Sequence, residues 1–384
     1  MRFARLDRLL QRLWQRLQQT LQQTLQQTLW QRLWPRLWQR LWQMLQMRRL
    51  RRGIVLLGLL GAAILGALLW QRWQLTPLAL PTQAEILITS SQNEPIQPIP
   101  LQVALDANKV HLGEKLFADS RLSADDRVSC LSCHRLDQGG ADRQVRSLGA
   151  HGIPTQVNTP TVFNVAYNFW FSWNGKFETL EAQIEALAKS VMGMPWEQIV
   201  SKLQQLPDYV QSFGVLYTDG ITLPNVIDAI AIYQRSLITP NSRFDQFLRG
   251  DYTALTVEEK EGYRLFKSYG CVSCHQGINV GGNLLQKFGE IGDYFVDRGN
   301  ITPADYGRYQ VTGSENDRFV FRVPSLRNVE ITPPYFHDGS AKTLEDAIAI
   351  MAKYQLGHSL SPQHIRRIER FLNTLTGETP RSAS

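Results

Sequence analysis

The chain has 384 residues, 43% of them hydrophobic, which is enough for two ordinary domains with real cores, while four cysteines are too few for a disulfide framework. Its formal charge of +7 suggests an anionic partner, but residues 1–52 hold twelve arginines against Asp7 alone. Taking that +11 from +7 leaves −4, so the basic balance belongs to the N-terminal tail, and nucleic acid is excluded as a partner of the globular part.

In the tail, leucine recurs at every fourth position from Leu13 to Leu45 among Gln, Arg and Trp. Four residues turn an α-helix by roughly 400°, so the leucine stripe drifts about 40° per repeat and winds around the axis. Pro35 interrupts it. Residues 1–52 are expected to form a low-complexity helical tail suited to an anionic cytoplasmic membrane face; a disordered or self-associating tail is the plainer alternative. The uncharged run from Gly53 to Trp70 would cover roughly 27 Å of a hydrocarbon layer about 30 Å thick. Arg48, Arg49, Arg51 and Arg52 precede it and Arg72 follows, which places the N-terminus in the cytoplasm. A cleaved signal peptide competes with this reading. The run is longer than an ordinary signal core and no small-x-small site closes it, so a single transmembrane helix over 53–73 is expected. Residues 74–103, with Pro77, Pro81, Pro95, Pro98 and Pro100, read as an extended linker.

Beyond the linker the texture is helical, and an all-α fold is expected. Thr256 with Glu259 forms a capping box ahead of one helix, Thr343 opens a second, and Ser361-Pro362 opens a last helix that Gly377 closes. All four cysteines fall into two copies of one pattern, Cys130-Leu-Ser-Cys133-His134 and Cys271-Val-Ser-Cys274-His275. The economical division is two helical units, 104–245 and 246–384, with the boundary near 240–255.

A c-type haem needs two thiols to add to its vinyl groups and a histidine to reach the iron, and Cys-x-x-Cys-His supplies all three. Zinc would want a second cysteine pair at finger spacing, and a thioredoxin-like pair would lack the adjacent histidine. Two covalent c-type haems are therefore expected, with His134 and His275 as proximal ligands. The sixth ligands decide whether each iron reacts or only stores an electron. From the residues alone His111, His151, His337, His358, His364 and several methionines stay open, each with a plainer reading as surface or core.

Residues 104–377 resemble the bacterial di-haem cytochrome c peroxidases. The match is carried by LGEKLFADSRLS, CLSCH with GGAD following, NTPTVFNVAYN, FSWNGKFETLEAQ, LITPNSRFDQFLRGD, CVSCHQGINVGG, RVPSLRNVEITPPYFHDG and TLEDAIAIMAKYQLG. The resemblance implies two cytochrome c-like domains, a peroxidatic haem in the first, an electron-accepting haem in the second, and a Ca2+ ion between them. It makes His151 the distal histidine that leaves the peroxidatic iron when the other haem is reduced. Met351 becomes the sixth ligand of the second haem, where a thioether raises the potential. It gives Trp173 the place between the haems and Gln183 a place in the distal pocket, and it assigns Asn158 with the backbone carbonyls of Thr332 and Pro334 to calcium. The implied setting is a bacterial inner membrane, with the haem domains on the periplasmic or lumenal side. The implied partners are hydrogen peroxide and a small donor, a cytochrome c or a cupredoxin, and a homodimer is compatible with the family.

One departure bears on catalysis. These peroxidases place a glutamate shortly after the distal glutamine, and the segment here reads Lys189-Ser-Val-Met-Gly193-Met194, without an acid. General acid–base help is worth roughly 10²–10⁴ in rate, so Glu185 or Glu197 must substitute or the chain is a poor peroxidase. The competing reading is a non-catalytic di-haem electron-transfer protein. A third, oxidation of another protein's side chains, belongs to relatives that carry tyrosine in place of Met351.

Overall fold

The computed structural model describes residues 94–380. The low-complexity tail, the expected transmembrane helix and the linker up to residue 93 lie outside the described residues. Among those described, no helix is long and apolar enough to cross a membrane.

Helix α1, Ala107–Ala118, begins where the Asp106 carboxylate accepts from the backbone N–H groups of Asn108 and Lys109 at 2.9 and 3.2 Å. It buries Leu112, Gly113, Leu116 and Phe117. Helices α2 (Leu180–Ser190), α3 (Trp196–Gln204), α4 (Pro207–Leu216) and α5 (Leu223–Ser236) add Ile184, Ile199, Phe213 and Ile230 to the same core. A Cβ on Gly113 would lie 2.0 Å from the Ala229 carbonyl oxygen, so the α1–α5 crossing needs glycine there.

The second half repeats this construction. Helix α6, Val257–Ser268, starts at the expected capping box of Thr256 and Glu259. It crosses α8, Pro362–Asn373, at Gly262, where a Cβ would lie 1.9 Å from the Arg367 carbonyl oxygen. Between them α7, Leu344–Ile350, is capped by Thr343, as expected, and runs into a π-turn over Met351–Gln355. Phe244, Tyr263, Phe266 and Phe371 fill this core, which also takes in Ile96.

Three expectations change. Gly377 does not close the last helix; Thr374 caps it, its hydroxyl donating to the Phe371 carbonyl at 2.6 Å, and Gly377 instead lets the chain approach the Thr239 carbonyl. The end of the 74–103 linker is not free: Ile96 and Ile99 are buried, and the Arg327 guanidinium donates to the Gln97 carbonyl at 2.9 Å. Two apolar residues between prolines gain more from burial than a solvated tether would retain. The described residues also carry one antiparallel sheet, β1 (Leu285–Lys287) with β2 (Val320–Arg322), pairing Leu285 with Arg322.

Residues 158–193 and 322–357 correspond without a gap, each pair 164 positions apart. Asn164 and Asn328 both take left-handed backbone (φ 60° and 59°), as do Ser172 and Phe336, and Gly193 and Gly357. Phe171 bridges Phe177 as Tyr335 bridges Ala341. Thr179 and Thr343 cap α2 and α7. The two copies exchange hydrogen bonds: Asn158 N–H donates to the His337 carbonyl at 2.7 Å, and Arg322 N–H to the Trp173 carbonyl at 2.8 Å. Trp173 and His337, themselves counterparts, meet edge to face with ring centres 6.4 Å apart.

Candidate functional site: two haem motifs

Each Cys-x-x-Cys-His segment follows the first helix of its half. Cys130–Cys133 form one helical turn behind the Ser129/Ser132 capping box, and Cys271–Ser273 form a 3-10 turn after the left-handed Gly270. The histidine is fixed in the same way twice. His134 Nδ1 lies 3.2 Å from the Gly140 carbonyl, and His275 Nδ1 lies 3.2 Å from the Val280 carbonyl. Each of these carbonyls also accepts a backbone N–H from counterpart residues, Val162 and Leu326. A carbonyl only accepts, so Nδ1 carries the proton and Nε2 keeps its lone pair for a metal. Burial lowers His134 and pushes His275 down to about 4, so both rings stay neutral and able to ligate near neutral pH. Phe117 and Phe266 flank the two rings at centroid distances of 6.3 and 6.4 Å.

Burial pushes the Cys130 thiol up to about 12 and the Cys271 thiol to about 11. A zinc thiolate or a redox dithiol needs the opposite shift, whereas a thiol consumed in a thioether bond needs none. No metal-binding cluster of three His, Cys, Asp or Glu side chains among the described residues includes these cysteines.

A cavity of about 230 Å³ opens beside the second motif, and Cys271, Cys274, His275 and Met351 all line it. Met351 heads the π-turn and packs against the aromatic cluster of Phe288, Tyr294, Phe295 and Phe321. Arg322 lines the same cavity. It is 5% exposed, burial lowers it to about 10, and no carboxylate pairs with it among the described residues. A buried cation facing an apolar cavity that also holds two thiols and an imidazole suits a haem propionate. The residues present therefore fit a c-type haem.

Trp173 lines this cavity too, and its Nε1–H donates to the Asn158 carbonyl at 2.8 Å. Asn158, Thr332 and Pro334, the residues of the calcium expectation, are all among those that line the cavity. The Asn158 Nδ2 donates to the Gln144 carbonyl at 2.8 Å, which leaves Oδ1 as the free end of the amide. An amide oxygen of this kind is a hard donor that calcium accepts when further oxygens complete its shell.

Around the first motif, His151 sits in a tight loop at φ 60°. The Ala150 N–H donates to the Val191 carbonyl at 2.8 Å, and the His151 N–H donates to Oδ2 of Asp125 at 2.8 Å. Sequence reasoning did not single out Asp125, because its partner is a backbone group 26 residues away. This bond is the main cause holding the Asp125 carboxyl below its ordinary value. Gly193, in the 189–194 segment that lacks the expected glutamate, lies beside that loop: a Cβ there would be 3.0 Å from Ala150 Cβ and 3.7 Å from His151 Cδ2. Glu185 and Glu197 are both exposed, and the Glu185 backbone carbonyl accepts from Trp196 Nε1 at 2.7 Å. Gln183 Nε2 reaches the Ser172 hydroxyl at 3.4 Å.

A third cluster, Asp305, His337 and Asp338, has metal-like spacing, but Arg298 already pairs with both carboxylates, so a guanidinium takes the cation's place.

The sequence profile described as di-haem cytochrome c peroxidase matches residues 107–253. The chain is 42% identical over 294 residues to the cytochrome c peroxidase Ccp of Escherichia coli; the match takes in 74% of this chain and 62% of that protein's length. It is 41% identical over 291 residues to the cytochrome c551 peroxidase of Nitrosomonas europaea, covering 75% of this chain and 86% of that one. Among solved structures, a MauG-like protein associated with microbial copper homeostasis aligns with a TM-score of 0.63 at 27% identity, over 74% of this chain and 94% of that one. With both motifs built alike and this similarity running through both halves, the chain belongs to the di-haem cytochrome c peroxidase family.

Proposed function

We propose that the protein reduces hydrogen peroxide to water at the His134 site, with electrons that arrive singly through the His275 site from a small cytochrome c or cupredoxin. Two electrons and two protons cleave the O–O bond and leave two waters. The haem held at each motif supplies the redox-active iron. The observation that carries this reading is an asymmetry between duplicated sites: both have a fixed proximal histidine, but the second places Met351 in the cavity that His275 lines, whereas the residue 164 positions before Met351 is Leu187. A thioether opposite a neutral imidazole favours ferrous iron, which suits the half that accepts electrons.

In this reading the protein's side chains hold and orient. Trp173 stands on the path between the halves, its indole tied to Asn158 and edge-on to His337. Asn158 Oδ1 and the carbonyls of Thr332 and Pro334 hold Ca2+. His151 caps the resting first site from its strained loop and withdraws to admit peroxide, and Gln183 offers its amide to the bound substrate. The run 53–73 anchors the chain in a bacterial inner membrane with the haem units on the periplasmic or lumenal side, as the arginines before it favour.

The test is to half-reduce the full-length protein with a weak reductant and add peroxide. Haem content by pyridine haemochrome should be two per chain, and peroxide should be consumed with oxidation of an added cytochrome c. Two haems without peroxide consumption would turn the assignment to an electron-transfer protein.

A further inference from the structure

We infer that Leu187 is the residue that keeps the first haem site reactive, by holding the place of the sixth ligand with a side chain that cannot ligate. This rests on the proposed peroxidatic role of the His134 half and names what makes that half different from the other.

The 164-position correspondence puts Leu187 opposite Met351, and structure fixes the register on both sides of it. Thr179 Oγ1 accepts from the Ala182 N–H at 3.2 Å, and Thr343 Oγ1 from the Asp346 N–H at 3.1 Å. Leu180 and Leu344 open the two helices, 2% and 7% exposed, and Ala188 and Ala352 follow the position in question, 2% and 3% exposed. The Leu187 carbonyl accepts from Met192 N–H at 3.3 Å, as the Met351 carbonyl does from Leu356 N–H at 3.2 Å. Gly193 and Gly357 then turn left-handed at φ 72° and 69°. A slip of even one residue would break all of these pairs.

Leu187 therefore presents its side chain from α2 as Met351 does from the end of α7, on the helix side that in the second half lines the cavity shared with His275. The protein leaves Leu187 37% exposed, although Leu180, Ile184 and Ala188 on the same helix are buried. Leucine and methionine are close in volume, so the difference is chemical: one ends in methyl groups, the other has a sulfur lone pair. A leucine at this position supplies no fixed ligand, so closure of the first site falls to another group. The His151 loop is hydrogen-bonded to Val191, one turn beyond Leu187, and is placed to be that group.

The test is Leu187→Met in the full-length, haem-loaded protein, with Leu187→Ile as a control that cannot ligate. In the half-reduced state the second haem is ferrous, so a thioether-to-ferric charge-transfer band can come only from the first. Leu187→Met should show that band and bind cyanide at least tenfold more weakly than the parent; Leu187→Ile should show no band and bind cyanide like the parent. Parent-like cyanide affinity and no band in Leu187→Met would overturn the inference while leaving the peroxidatic reading intact. A parent that binds no cyanide at the first haem in any redox state would overturn the peroxidatic reading and this inference with it.

Discussion

Asn164 and Asn328, counterparts in the two halves, both donate their side-chain N–H to the same oxygen, Oγ1 of Thr239, at 2.7 and 2.9 Å. All three residues are fully buried, and Thr239 lies in the segment that joins the halves. One hydroxyl therefore serves both copies of the repeat. Thr239→Val keeps the shape and leaves two buried amides short of an acceptor, at about 1–3 kcal/mol each. Urea unfolding of the holoprotein should show a loss of roughly 2–6 kcal/mol for Thr239→Val and less than about 1 kcal/mol for Thr239→Ser. Equal losses would mean that the hydroxyl is not the shared acceptor.

Asp305 ties a cluster within the second half. Burial alone would raise its carboxyl, but hydrogen bonds from His337, Arg298 and Thr302 outweigh it and hold the group well below the usual carboxylate range. A depressed folded value means the contribution is present above the ordinary carboxylate value and is lost as pH falls below it. The parent should therefore lose stability below about pH 4 more steeply than Asp305→Asn. Asp305→Ala, which leaves buried His337 without its partner, should cost roughly 3 kcal/mol near neutral pH.

Asp125 is expected to set how readily the His151 loop opens, because its carboxylate accepts the His151 backbone N–H. Asp125→Ala removes that acceptor and leaves the histidine itself unchanged. The oxidised protein should show a larger high-spin fraction by electron paramagnetic resonance, and Asp125→Asn, which retains an oxygen acceptor, a smaller rise. An unchanged spin state in both variants would mean that the Val191 contact alone holds the loop.

Gly193→Glu returns an acid to a position beside His151, but at a cost visible in the backbone. The residue is left-handed, with φ 72°, and any Cβ meets Ala150 at 3.0 Å. The strain should cost about 1–2 kcal/mol, and Gly193→Ala should show the same loss of melting temperature. Peroxide turnover should rise at least about tenfold in Gly193→Glu only, in line with the usual contribution of general acid–base help. A parallel rise in Gly193→Ala would assign the gain to loop loosening instead of proton transfer.

The sequence alone marked the two haem motifs, since Cys-x-x-Cys-His carries its whole chemistry in five neighbouring residues. It also determined the helices whose starts are local, such as the capping box of Thr256 with Glu259. Tertiary structure decided what depends on distant segments meeting. It buried Ile96 and Ile99 from an apparent linker, and it replaced the expected Gly377 stop with a cap at Thr374. It brought Asp125 to the His151 loop and put Trp173 against His337 across the repeat. Leu187 lies between these cases: the paired Thr-Leu-Glu segments at 179 and 343 were legible, but a leucine in a helix reads as core filler. Only the shared caps, turns and hydrogen bonds of the two halves, which fix the register, set it opposite Met351.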